Sequence, residues 1–245
     1  MAKYKAGDGF IIKIDEAYTT NNGNFFYTVK GLADRLVISE EDLDKLDQLD
    51  RAEIREENEA EVKAIELGDA EPGTTVKIAG IKWEVLDTNF YASNGEAGVF
   101  CLAKQPVEEK AFDDDNCNDW KKSSLRKYLN GEYLDKLADA IGRENLLAFL
   151  RDLRSEDGLK DYGKCEDTVS LISTDEYRQY RKYISNKDNW WWTLTAYSTP
   201  YSAFSHRARI VCADGSLDYN SAYNGNFGVA PACVLLPSLM VEPEV

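Results

Sequence analysis

The chain has 245 residues, 43% of them hydrophobic, which is enough for two domains or for one domain with an extension. Its net charge of −15 argues against nucleic acid as a partner, because phosphate binding needs a basic surface, and serves solubility instead. No apolar run approaches a membrane span, so no membrane insertion is expected; MAKYKAGDG has no signal-peptide core, and the expectation is a chain made in the cytoplasm.

Residues 1–50 read as a small β-rich N-terminal domain. FIIKI at 10–14 reads as a strand, Asn21-Asn22-Gly23-Asn24 as a turn, FFYTVKG at 25–31 as a second strand and RLVI at 35–38 as a third. Ser39-Glu40-Glu41-Asp42 then opens a helix with Leu43, Leu46 and Leu49 on one face. A charged, solvated linker helix is expected over residues 51–68, with a short oligomerisation helix as the alternative, and the linker segment 51–72 ends where Pro72-Gly73 breaks the pattern. Residues 73–245 form the main domain.

Its first feature is a β-region, TVKIAGIKWEVLDTN at 75–89, with Gly80 at a hairpin turn and Trp83 and Val85 inside; GVFCLAK at 98–104 follows. DWKKSSLRKYLNGEYLDKL at 119–137 reads as a helix broken near Asn130-Gly131, and a second helix is expected over 143–153. TVSLIS at 168–173 reads as a buried strand running into a helix from Thr174, whose hydroxyl caps the amides before Asp175 and Glu176. Beyond it, ARIVCA at 208–213, SLDY at 216–219 and ACVLLP at 232–237 read as short strands between turns at Asp214-Gly215 and Asn224-Gly225.

Residues 190–232 stand apart. Three tryptophans, Trp190, Trp191 and Trp192, open the stretch and Gly-Val-Ala-Pro-Ala closes it, with Tyr, Ser, Asn, Phe, His and Arg between. Rigid aromatics mixed with small adaptable polar groups are binding-surface chemistry, although an aromatic sheet core with polar turns has much the same composition. A count separates the two. Lys, Glu, Gln, Met and Trp make up about one residue in five of the whole chain, yet none occurs from 193 to 239. Asp, Asn, His, Arg, Ser and Tyr all do, so polarity is not the rule of exclusion. Randomising the two adenines of Asn codons that end in a pyrimidine gives this pattern: Tyr, Phe, Ser, His, Arg, Asp, Cys and Gly arise, whereas the five missing types cannot.

In chain order, G-I-K-W-E-V-L, W-K-K-S-S-L-R-K-Y-L-N, S-L-I-S-T-D-E-Y, W-W-T-L, an Asp-Gly turn and G-V-A-P-A-C resemble a family of C-type-lectin-like domains of Firmicutes and their phages. That family is related to formylglycine-generating-enzyme-like folds and to the variable proteins of diversity-generating retroelements. The resemblance covers residues 74–240. Its most specific parts are Trp120, Ser123, Leu125, Arg126, Leu129 and Asn130, and the closing Gly228, Val229, Pro231 and Ala232. The closing motif usually carries Arg where this chain has Ala230, which removes an internal ion pair. The N-terminal domain is similar to small β-domains of phage proteins.

The resemblance implies an α+β, C-type-lectin-like fold whose irregular C-terminal sheet displays a ligand-binding face. It implies a non-enzymatic receptor-binding protein, varied on that face by a retroelement, in a virion or the cytoplasm. The alternatives are a constant-sequence phage structural protein and a relative of formylglycine-generating oxidases. The expected ligand is a protein or a bacterial surface, and a homo-oligomer is compatible with the sequence. The contacts are assigned to Tyr197, Tyr201, Phe204, His206, Arg207, Asp218, Tyr219, Asn220, Tyr223, Asn224, Asn226 and Phe227. The tryptophans and the closing motif are expected to be buried scaffold.

Catalytic and metal chemistry finds little to work with. A hydrolase triad needs a base, and the single histidine, His206, lies in the display segment. The five cysteines are odd in number and lack a CxxC, so no disulfide framework or zinc site is indicated; Cys212 and Cys233 are the pair a fold could bring together for oxidase chemistry. Asp113-Asp114-Asp115-Asn116 with Asn118-Asp119 offers the oxygen ligands calcium prefers, but the lectin Glu-Pro-Asn or Gln-Pro-Asp motif is absent and a solvated acidic loop is expected. No cofactor or metal is expected.

Overall fold

The computed structural model describes residues 64–244 except Ser202, and three strands before them. The chain divides into two compact units, Met1–Val62 and Lys63–Val245. In the first, β1 (Lys13–Thr19), β2 (Phe25–Lys30) and β3 (Leu36–Ser39) form an antiparallel sheet in that order. The first strand thus starts inside the expected 10–14 segment and runs further. The helix expected from Ser39 and most of the linker helix lie outside the described residues.

The end of that linker helix is not helical. β4 (Ile65–Glu66) pairs with the last strand of the chain, and Leu67–Asp69 makes a 3-10 turn. Leu67 is fully buried and its amide donates to the Leu239 carbonyl at 2.8 Å, while the Gly68 amide donates to Pro237 at 2.8 Å. A partner so distant in sequence overrides the local helix preference.

The hairpin of β5 (Thr75–Ile78) and β6 (Ile81–Tyr91) turns on Ala79 and Gly80, both at positive φ (52° and 77°), the two-residue turn whose twist suits paired strands. Trp83 and Val85 are fully buried, as expected. β7 (Ala97–Ala103) is apolar along its length because both of its faces are covered. Val99, Cys101 and Ala103 enter one core, Phe100 and Leu102 a second. Period-two alternation therefore divides one strand between two cores.

After β8 (Glu108–Glu109), α1 (Ser124–Tyr128) starts at Ser123, whose hydroxyl oxygen accepts from the Arg126 amide at 3.1 Å. The helix breaks where expected, in a π-turn around Gly131 (φ −118°, ψ −106°), and resumes as α2 (Leu134–Ile141). Leu125, Leu129, Leu134 and Leu137 pack into the first core with Trp120.

The helix expected over 143–153 does not form. A 3-10 turn leads into β9 (Leu146–Leu147) and β10 (Phe149–Asp152). Leu146 and Leu147 sit opposite Leu235 and Val234, and β10 pairs with β11 (Lys164–Asp167), turning Phe149 and Arg151 inward and Leu150 and Asp152 outward. A leucine-rich run suits either structure; the strand partners decide. β12 (Val169–Ser170) is shorter than expected, and α3 (Thr174–Tyr180) is capped by Ser173, one residue before the expected Thr174. Ser173 Oγ accepts from the Glu176 amide (3.1 Å) and Glu176 accepts from the Ser173 amide (2.7 Å), a reciprocal box that Thr174 could not close.

β13 (Trp191–Ala196), β14 (Arg207–Val211), β15 (Leu217–Ser221) and β16 (Gly228–Val229) build a five-stranded sheet in the order β15-β14-β13-β16-β8. β17 (Ala232–Leu235) and β18 (Met240–Pro243) return to the large sheet, ordered β12-β17-β7-β6-β5-β18-β4 with β9 also on β17. The class is α+β, rich in sheet. Among the described residues no helix is long and apolar enough to cross a membrane.

Candidate ligand-binding face

The stretch 190–232 begins with β13, which is buried along its length. Trp191 and Trp192 are buried, and the Trp192 indole N–H donates to the Lys110 carbonyl at 2.9 Å. Trp190, expected to be buried with them, is 42% exposed and stacks on Phe227. The loop 197–206 follows, then β14 and β15 pair with Arg207 opposite Ser221 and Arg209 opposite Tyr219. Alternation sends Ala208 and Ile210 into the first core and leaves Arg207 and Arg209 on the other side.

On that side four of the expected contact residues converge. Tyr197 meets Tyr219 edge to face at 4.6 Å and Phe204 at 5.4 Å. The Arg207 guanidinium lies over both Phe204 (4.8 Å) and Tyr219 (4.9 Å). The Arg209 guanidinium lies over the Tyr197 ring at 5.9 Å. Residues separated by more than twenty positions thus make one aromatic–cation cluster.

The remaining assigned residues are placed differently. Tyr201 (85% exposed) and Tyr223 (62% exposed) stand out from the surface on separate loops. Asp218 and Asn226 are exposed; His206, Asn220 and Asn224 are half-buried. Asp218 and Asn220 flank Tyr219, so the pleat turns them to the opposite face from the cluster. Phe227 corrects the assignment: it is 6% exposed and packs edge-on against Trp192 at 4.8 Å, in the core rather than on display. An aromatic next to the buried Gly228–Val229 strand is held inside by that strand's pairing with Trp191.

The acidic run 113–119 is not a solvated loop. Asp113, Asn118 and Asp119 are buried. Asp113 Oδ1 accepts from the Ser124 amide, and Oδ2 from the amides of Asp115 and Cys117, all between 2.9 and 3.1 Å. Asn118 clamps the display loop: its Nδ2 donates to the carbonyls of Ser198 (2.8 Å), Arg207 (2.8 Å) and Phe204 (3.3 Å), and its Oδ1 accepts from the Tyr162 hydroxyl (2.6 Å). Asn116, at a left-handed φ of 57°, accepts from the Tyr223 amide at 3.2 Å and steadies the second loop. These bracing residues escaped sequence reasoning because their partners lie about 80 to 107 positions away. Among the described residues no cluster of three or more His, Cys, Asp or Glu is arranged to hold a metal.

A polar cleft of about 400 Å³ lies beside the segment, lined in part by Arg151, Glu156, Thr174, Glu176 and Arg178. Arg151 is buried and forks onto Glu176. Burial alone raises the Glu176 carboxyl, but the Arg151 charge and hydrogen bonds from Arg151 and Ser173 outweigh it and hold the group below the usual value. Glu156 joins cleft to face: its amide donates to the Ala196 carbonyl, and its carboxylate accepts from Thr174 Oγ1 and approaches Arg209.

The five cysteines are free, and Cys212 and Cys233, the pair considered for oxidase chemistry, are carried by different sheets. Cys233 on β17 faces Cys101 on β7, whereas Cys212 follows β14 in the other sheet. Burial pushes the Cys101 and Cys233 thiols far above the ordinary value, which disfavours the reactive thiolate.

No curated protein and no solved structure matches the chain. The profile of a domain of unknown function, DUF6273, matches residues 97–237, more than half of the sequence and the whole of the face with its bracing loop, and the chain belongs to that family.

Proposed function

We propose that the second unit is a non-enzymatic ligand-binding module on a C-type-lectin-like scaffold, the receptor-binding part of a phage-type protein whose display face is diversified by a retroelement. The observation that carries this reading is the convergence of Tyr197, Phe204, Arg207 and Tyr219 into one accessible cluster on a fixed frame. Trp191, Trp192, Ala208, Ile210 and Gly228 to Ala232 are buried beneath or beside it. Side chains on such a face can change without refolding the frame, which is how loops on rigid scaffolds acquire new specificities. The absence of Lys, Glu, Gln, Met and Trp from 193–239 supports the codon-limited route to that change.

The ligand is a protein or bacterial-surface group that offers aromatic and hydrogen-bonding contacts. The neighbouring DNA tests the diversification. A reverse-transcriptase gene and a near-copy of the 3′ coding segment, differing from the gene at adenines, are expected. If neither adjoins the gene, diversification fails and a constant-sequence phage binding or structural protein takes its place.

A further inference from the structure

Among the described residues β15 ends its sheet, pairing with β14 on one side and with no strand on the other. The Cys212 amide donates to Ser216 (2.8 Å) and the Ala222 amide to His206 (2.9 Å), so the bonded pairs of this ladder fall at even-numbered positions. The amides and carbonyls of Leu217, Tyr219 and Ser221 therefore point away from β14.

In the free protein, neighbouring side chains occupy part of this edge. Asp218 Oδ1 accepts from the Tyr219 amide (2.8 Å), and Asn220 Oδ1 accepts from the Ser221 amide (2.9 Å). The Ser221 carbonyl accepts from the Asn224 amide at 3.0 Å, closing that end. What stays open is Leu217 and the Tyr219 carbonyl. The two amide caps are local bonds from side chains at or near the surface, so an incoming strand can replace them one for one.

The two faces of this edge differ in charge: Asp218 lies on one and caps the Tyr219 amide, whereas Arg207 lies on the other with the aromatic cluster. Among the described residues Arg207 makes no ion pair, though the chain carries −15 overall. Residues 193–239 hold only Arg207, Arg209, Asp214 and Asp218 as charged groups, a neutral set, and Arg209 already faces Glu156. A side chain opposite Tyr219 on an added strand meets the Tyr219 ring and the Arg207 guanidinium that lies over it.

We propose that the ligand of this face is a protein segment that adds to β15 as an extended strand and places a carboxylate against Arg207. This rests on the ligand-binding reading above. Strand addition suits a variable face because backbone bonds persist when side chains change, while the side chains set specificity. A second copy of the chain suits the edge less well, since it brings another Arg207 to the same face while its own strand carboxylate, Asp218, lies on the opposite one.

The test uses the full chain, isotope-labelled, and a bead library of extended peptides of about ten residues with a fixed central Glu. Selected peptides are remade with Lys at the centre and with alternate backbone amides N-methylated. N-methylation along the pairing edge is expected to weaken binding about tenfold or more, with amide shifts at Leu217 and Tyr219. Arg207→Gln is expected to remove the preference for Glu over Lys. Binding that ignores N-methylation, with shifts confined to Tyr201 and Tyr223, overturns strand addition and leaves the ligand face standing. A library without binders overturns it as well, and self-association through residues 217–221 assigns the edge to a second copy. The diversification reading fails separately, through the neighbouring DNA.

Discussion

Asn118→Ala removes the clamp that holds the display loop. Asn118 is fully buried and serves four groups, but the losses are unequal. The Arg207 carbonyl keeps the Tyr197 amide (2.8 Å) and the Phe204 carbonyl keeps the Arg207 amide (3.0 Å). The Ser198 carbonyl and the Tyr162 hydroxyl lose their partner. A buried polar group left unpaired costs about 1–3 kcal/mol, and Tyr162 is exposed enough to recover water, so the total is about 2–4 kcal/mol. For a unit of this size that lowers Tm by about 5–15 °C. Thermal unfolding measures the loss, and amide exchange across 197–207 should accelerate together with it. Asn118→Asp should be worse, because a carboxylate then faces three carbonyl oxygens. A Tm within about 2 °C of the parent with unchanged exchange would refute the clamp.

Leu125→Ala should cost about 2–5 kcal/mol by leaving a cavity between the helices and the first core, whereas Tyr223→Ser should stay within about 0.5 kcal/mol; equal losses in chemical denaturation would contradict the division into frame and face. Phe227→Ala should cost about 3–5 kcal/mol, and a neutral result would return Phe227 to the display set. Glu176 carries a pH signature. Its folded carboxyl lies below the ordinary 4.5, so its stabilisation is present above that value and is lost as pH falls through the folded value. Acid unfolding of Glu176→Gln should therefore depend less steeply on pH below about 4.5 than that of the parent, and equal slopes would remove Glu176 from the acid response.

The frame was legible wherever a local signal fixes local structure. Gly80 at the hairpin, Gly131 at the helix break and the apolar spacing of Leu125, Leu129, Leu134 and Leu137 all act within a few residues of themselves. The helix expected over 143–153 was misread because strand pairing with β17 and β11 decides a leucine-rich run that suits either structure. The acidic run 113–119 was misread for a related reason: its composition matches a solvated loop, and only the carbonyls of a distant segment give Asn118 its role. On the face, the residue types indicated a binding surface but not its sides. Alternation separated Tyr219 from Asp218 and Asn220, and the neighbouring Gly228–Val229 strand carried Phe227 inward.

Sequencing sister copies of this gene from one population measures the diversification most directly. Differences should concentrate at the outward positions between 197 and 226, including Tyr201, Phe204, Tyr219 and Tyr223. They should be nearly absent from Trp190 to Trp192, from Ala208, Ile210, Ala222 and Phe227, and from Gly228 to Ala232. Lys, Glu, Gln, Met and Trp should stay rare at the variable sites. Variation scattered along the chain, or frequent Lys and Glu at Tyr219, Tyr223 or Asn224, would contradict a codon-limited display face.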